Sequence, residues 1–291
     1  MSALPRIADA VSLRAGAVPS SAQPSPGPAA ARLRAAWPAL ARRATGLGLP
    51  LALLALAEYA ARAGWVAPHL FPPPSSLWAT AAELLDHGLA GHVGASTARV
   101  AAGFAAGAVL ALAIGAAVGL SPRIERLLDP TLQALRAIPS LAWVPLLLLW
   151  LGIDEAPKLT LIAIGAFFPV YMGVVAGFRD VDRKLVEVAR MAGLGPLALA
   201  RRVLLPAALP SVWTGLRSGL GLAWMFMVAA ELIAASRGVG YLLTDGRETG
   251  RADIVLTAIV LLALLGQASD GAMRWAGQRL LRWRDTYTGA A

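Results

Sequence analysis

The chain contains no cysteine, which excludes a disulfide framework, a thiolate metal site and a cysteine nucleophile. Charge is scarce at 15% of residues, and lysine nearly absent, with Lys158 and Lys184 the only two. Neither follows the glycines of a Gly-x-x-x-x-Gly-Lys-Ser/Thr loop, so the usual phosphate-cradling route to ATP binding is excluded. His-Glu-x-x-His and Gly-x-Ser-x-Gly are missing too, which removes the commonest metalloprotease and serine-hydrolase chemistries. The three histidines, His69, His87 and His92, match no ligand spacing and read as solvated loop residues. No cofactor is implied. Internal repeats and inverted pairs are also lacking, which argues against an inverted-repeat carrier.

What is abundant is apolar surface. Hydrophobic residues make up 57% of 291 positions and the mean hydropathy is +0.63, more than one soluble core can hide. The bilayer is the natural solvent. A net charge of +9 would also suit nucleic acid, but the arginines border apolar runs and form no stripe interleaved with aromatics. They suit anionic lipid instead.

A membrane helix needs about 20 apolar residues, and six candidate spans begin near Gly46, Val100, Leu132, Leu159, Val212 and Ile254. The second, Val100 to Leu120, and the fourth, Leu159 to Phe178, are uncharged. Gly103, Gly107, Ala111 and Gly115 recur every four residues in the second, a face suited to close packing on another helix. Residues 1–45, with PSSAQPSPGPAA, read as a disordered basic tail, 46–284 as the membrane domain and 285–291 as a short C-terminal tail. Arg42 and Arg43, Arg123 and Arg126, Arg179 to Arg202, and Arg274 to Arg284 fall on one side of six spans. The retention of basic loops makes that side, with both termini, cytoplasmic.

One loop departs from the membrane pattern. In LVEVARMAGLGPLALARRVLLPAALP, residues 185–210, Leu185, Val188, Ala189 and Ala192 share a helical face while Glu187 and Arg190 point elsewhere. Gly193, Gly195 and Pro196 allow a sharp reversal, and Pro206 and Pro210 are expected to stop the second short helix before the fifth span. An interfacial helix on anionic headgroups would account for Arg190, Arg201 and Arg202. It leaves Glu187 and Gly193 unexplained.

Glu187, Ala189 and Gly193, then Val203, Leu205 and Pro206, resemble the cytoplasmic EAA loop of ABC-importer membrane subunits, with Val188 and Val203 replacing the pattern's alanine and isoleucine. RAIPSLAWVPLLLLWLGI at 136–153 looks like the third membrane helix of nitrate, taurine and aliphatic sulfonate permeases. The resemblance implies an all-α polytopic protein of the type I importer permease fold in a bacterial inner membrane. It also implies partners: an ABC ATPase dimer on the 179–210 loop, a periplasmic substrate-binding protein, and a second permease copy. Glu187 would be a polar anchor, Ala189 a close-contact position, Gly193 the turn, and Leu205 and Pro206 the brace against the membrane helices. The substrate class would be a small anion, with translocation in place of enzymatic turnover.

Charges at the spans supply candidate path residues. Arg136, before Ile138-Pro139-Ser140, would attract an anion or snorkel to the inner headgroups. Glu231 would line the path or approach the outer interface beside Ser236 and Arg237. Trp143, Trp150 and Trp224 read as headgroup-level belt residues. The rival class is an ion-coupled secondary carrier using Glu58 or Glu231 as a proton site, with a membrane-embedded enzyme more distant.

Overall fold

The computed structural model describes residues 48–67 and 69–283, so the expected tails at 1–45 and 285–291 lie outside the described residues. The chain divides after Leu56 into two units. Residues 48–62 are helical, and everything below concerns the unit from Ala57 onward. There, α1 (Ser76–Asp86), α2 (Leu89–Leu120) and α3 (Pro122–Ala137) lead through a 3-10 turn, Ser140–Trp143, to α4 (Val144–Leu151) and α5 (Glu155–Arg179). A short loop pair, α6 (Arg183–Met191) and α7 (Pro196–Leu199), precedes a π turn (Ala200–Leu204) and α8 (Leu205–Ala234). Helices α9 (Val239–Glu248) and α10 (Ala252–Leu280) are the last among the described residues. Among the described residues no β-strand occurs.

Four helices are long and apolar enough to span a membrane, and five spans result if the bent pair at 122–151 counts as one. The expected third span is that pair. Its two arms meet at 88°, because Ile138 precedes Pro139 and takes the extended conformation (ψ 123°) that the proline ring demands. The same rule ends α2, where Ser121 before Pro122 is extended and its hydroxyl caps α3 by accepting from the Ile124 N–H.

Proline has the opposite outcome at the fifth span. Pro206 and Pro210 do not stop the helix, which runs from Leu197 to Ile233 without a break. The π turn widens the hydrogen-bond ladder just ahead of Pro206, and this local adjustment accommodates the proline's missing N–H without a break in the helix.

Helix α5 is the centre of the bundle, packed on α2 and α8. The small-residue series of α2 makes one of these contacts. A Cβ on Gly107 would strike the backbone of Ala163, and one on Gly103 would lie 2.6 Å from Ile162 Cγ2. On the other side Gly173 meets Gly215 so closely that a Cβ on Gly173 would lie 2.7 Å from the Gly215 Cα. Val170, Tyr171, Val174 and Ala208 fill the core around this crossing.

At the end where α2 and α5 begin and α8 finishes, the bundle holds a closed set of charges. The Arg99 guanidinium donates to both Glu155 oxygens at 2.6 and 2.7 Å and to Glu231 Oε1 at 2.7 Å. Lys158 donates to Glu155 at 3.0 Å. Glu231 also accepts from Ser96 Oγ and from the Gly240 N–H, each at 2.8 Å, while Ser96 accepts from the Val239 N–H. Two cations balance two carboxylates, the condition under which buried charge is tolerated. With its side chain 0% exposed, Glu231 is turned into this lock.

Helix α1 is tied to the start of α10 by a second pair, in which Arg251 donates to Glu83 at 2.7 and 2.8 Å. The Arg251 hydrogen bonds hold the Glu83 carboxyl below its ordinary value.

Both charge clusters can be tested by substitution. Glu231→Ala, which leaves Arg99 facing an empty site, lowers stability by about 3–5 kcal/mol, and pairing Glu231→Leu with Arg99→Met recovers most of it, both read by thermal unfolding in detergent. Because the folded Glu83 value is depressed, its stabilising effect is present above the unfolded value and is lost as pH falls through the folded one. Protection of the α1 amides, taken relative to intrinsic exchange, therefore falls as pH drops below the ordinary carboxylate range and not around neutrality. Glu83→Gln reduces the dependence, the remainder belonging to Asp253, which accepts from Thr80 of α1 at 2.9 Å.

Candidate functional site

The loop between α5 and α8 leaves the opposite end of the bundle. Asp182 begins α6 by accepting from the Lys184 N–H at 2.9 Å, a side-chain cap for otherwise unpaired donors. The far end is closed by a Schellman turn, in which the Gly193 N–H bonds Arg190 O at 3.0 Å and the Leu194 N–H bonds Ala189 O at 3.1 Å. Gly193 has φ +75° and open space where a Cβ would be. Glycine is needed there for its backbone conformation, not for room.

Between these caps α6 has two faces. Leu185, Val188 and Met191 are exposed at 50%, 65% and 88%, spaced as one ridge. Ala189, by contrast, is buried within the chain. The apolar face expected from Leu185, Val188, Ala189 and Ala192 is thus divided, because Ala189 lies about a hundred degrees around the helix from Val188. Ala189 makes its close contact inside the chain. Glu187 is exposed and held by Arg183 at 2.9 Å, a weak surface pair that water and salt readily open.

Of the residues expected to brace the loop, Leu205 is 49% exposed and Pro206 half-buried, and their neighbours Leu204 and Ala208 pack into the core around Tyr171 and Val174. Arg201 and Arg202 are exposed on the same loop.

The candidate path residues separate. Arg136 ends α3, exposed, and forms no ion pair among the described residues. Beside it, α2, α3, the 3-10 turn and α5 enclose a hollow of about 450 Å³ lined by Leu110, Leu132, Trp143, Ile164 and Phe167. Such a lining, apolar but for Trp143 and Thr160, would exact an anion's desolvation cost. Trp224 is no belt residue, since its indole N–H donates to Ser269 Oγ at 2.9 Å and links α8 to α10. His92 bonds the backbone of Gly238, and no group of three metal-binding side chains occurs among the described residues.

Sequence reading misses Arg99, Ser96, Glu155 and Lys158. The available signal is positional, for Arg99, Glu155 and Glu231 border three different apolar runs at one end.

Residues 106–282, more than half the chain, match the family described as binding-protein-dependent transport system inner membrane component. The permease protein SsuC of Bacillus subtilis, named for aliphatic sulfonates transport, is 43% identical over 84% of this chain and 89% of its own length. The taurine transport system permease protein TauC of Escherichia coli is 34% identical over 87% and 94%, and the bicarbonate transport system permease protein CmpB of Synechococcus elongatus 32% over 68% and 72%. Among solved structures, the MetNI methionine ABC transporter in inward-facing conformations superposes with a TM-score of 0.55 at 21% identity, covering 64% of this chain and 91% of that one. That likeness establishes an importer permease fold. The chain belongs to the inner membrane components of binding-protein-dependent transport systems, the permease subunits of ABC transporters.

Proposed function

We propose that this chain is the converter subunit of an ATP-driven importer for a small anion of the aliphatic sulfonate, taurine or nitrate class. Two copies enclose the path, a periplasmic binding protein delivers the solute, and an ATPase dimer grips the 179–210 loops on the cytoplasmic side, where both termini also lie. ATP is hydrolysed by the separate subunit. The observation that carries the reading is the exposed ridge of Leu185, Val188 and Met191 on a helix capped at both ends. An apolar row that contributes nothing to its own chain's core is suited to a groove on a partner.

In this reading Glu187 anchors the partner beside the ridge, and Gly193 fixes the angle at which α6 is presented. Ala189 permits close packing of α6 on the π turn, so displacement of the gripped helix passes into Leu205, Pro206 and the single helical body of α8. Closure of the ATPases on ATP would bias the spans between inward- and outward-facing states by binding one arrangement more tightly. The relatives' named cargo supports the substrate class, since sulfonates, taurine and bicarbonate all carry a compact oxyanion.

Glu187→Arg and Gly193→Arg insert normally into the membrane but lose the ATPase subunit in a pull-down; retained association would contradict the reading. Val188→Asp weakens the same association at least tenfold, as expected from burying one charge in place of an apolar side chain worth about 1.5–3 kcal/mol. Uptake ceases when ATP is depleted with the proton gradient held, whereas uptake that continues would identify an ion-coupled carrier.

A further inference from the structure

A third charged cluster, between α8 and α10, is not balanced. Arg217 pairs through Nε and Nη2 with both Asp270 oxygens, and Arg274 reaches the same carboxylate at 3.3 Å. Two guanidinium groups share one carboxylate, leaving one positive charge in excess. This is the reverse of the Glu231 end, where the charges cancel.

The cluster borders a hollow of about 590 Å³ that also receives Thr214, Ser218 and Gln278. Arg217, Asp270 and Arg274 are 44%, 32% and 45% exposed, so donors remain free to face the opening. Its walls are fixed on both sides. The Trp213 indole donates to Met273 O at 3.2 Å, and Trp224 donates to Ser269 Oγ at 2.9 Å. Along an α-helix rising about 1.5 Å per residue, Arg217 lies roughly 24 Å from Ile233, which places it at inner-leaflet depth in a core about 30 Å thick. An unneutralised guanidinium at that depth must face water or an anion.

We propose that this groove is an oxyanion-binding site for one sulfonate- or phosphate-like group. Arg274 and the free edge of Arg217 supply charge-assisted hydrogen bonds, Thr214, Ser218 and Gln278 supply neutral ones, and Asp270 is the resident counter-ion that the ligand must outcompete. The inference deepens the anion-import reading and rests on it for the solute source; an anionic lipid headgroup presents the same chemistry from the inner leaflet.

The test uses the full-length chain in phosphatidylcholine nanodiscs, with radiolabelled ethanesulfonate as one probe and retention of added phosphatidylglycerol, read by native mass spectrometry, as the other. Arg274→Gln weakens binding about tenfold, Arg274→Lys restores most of it, and Asp270→Asn tightens it severalfold by removing the competitor. The opposite signs at neighbouring positions separate ligand binding from a loss of folding. If wild type holds only phosphatidylglycerol, and does so through Arg274, the oxyanion site stands as a headgroup site and the solute assignment falls. If ethanesulfonate binds wild type and Arg274→Gln equally, with lipid retention also unchanged, the site is overturned while the import reading survives. If wild type holds neither probe, the oxyanion site is overturned in both its solute and its headgroup form, and the import reading survives.

Discussion

Lipid tails are as apolar as leucine, so no hydrophobic force gathers the helices of this chain once they are in the bilayer. Cohesion has to come from close backbone approach and from charges neutralised internally. Helix α5 obtains the first on two sides, from Gly103 and Gly107 of α2 and from the Gly173 and Gly215 crossing with α8. The Arg99, Glu155, Lys158 and Glu231 set supplies the second at one end. Both devices act on the same three helices, which makes α2, α5 and α8 the frame on which the remaining elements are hung.

That frame relates the two ends of the molecule. The helix that starts at Leu197 in the loop and runs to Ile233 reaches the buried Glu231 lock at its far end. A π turn in place of a stop preserves mechanical continuity from the loop into the bundle. The bent 122–151 pair is the contrasting case, for Pro139 divides it into two arms that meet at 88° and breaks any such continuity there. One proline-rich segment becomes part of a long rod, and the other becomes a corner.

Much of this architecture is legible in the order of residues. Val100 to Leu120 and Leu159 to Phe178 have to lie within the bilayer because uncharged runs of that length suit nothing else, and Gly193 has to end α6 because a left-handed residue is needed there. The small-residue face of α2 is visible from its period alone. Less is legible at individual side chains. Glu231 reads as a candidate path residue because its partner Arg99 is 132 positions away, beyond any local pattern. Ala189 reads as part of an exposed ridge because spacings of three and four assign a residue to a broad arc, and the edge of that arc is buried within the chain. Trp224 reads as a belt residue because its acceptor, Ser269, belongs to another helix.

The sequence by itself determined the long apolar runs, the loop that interrupts them and its glycine turn, since hydropathy and glycine act over a few neighbouring residues. Whether a proline breaks a helix, as Pro139 does, or is absorbed into one, as Pro206 and Pro210 are, was decided by the fold. Tertiary structure alone decided which charges cancel and which do not. Arg99 and Glu231 neutralise one another, whereas Arg217 and Arg274 must divide Asp270. Charge balance in a low-dielectric interior depends on distance in space, and only the packing of α2, α5, α8 and α10 establishes those distances.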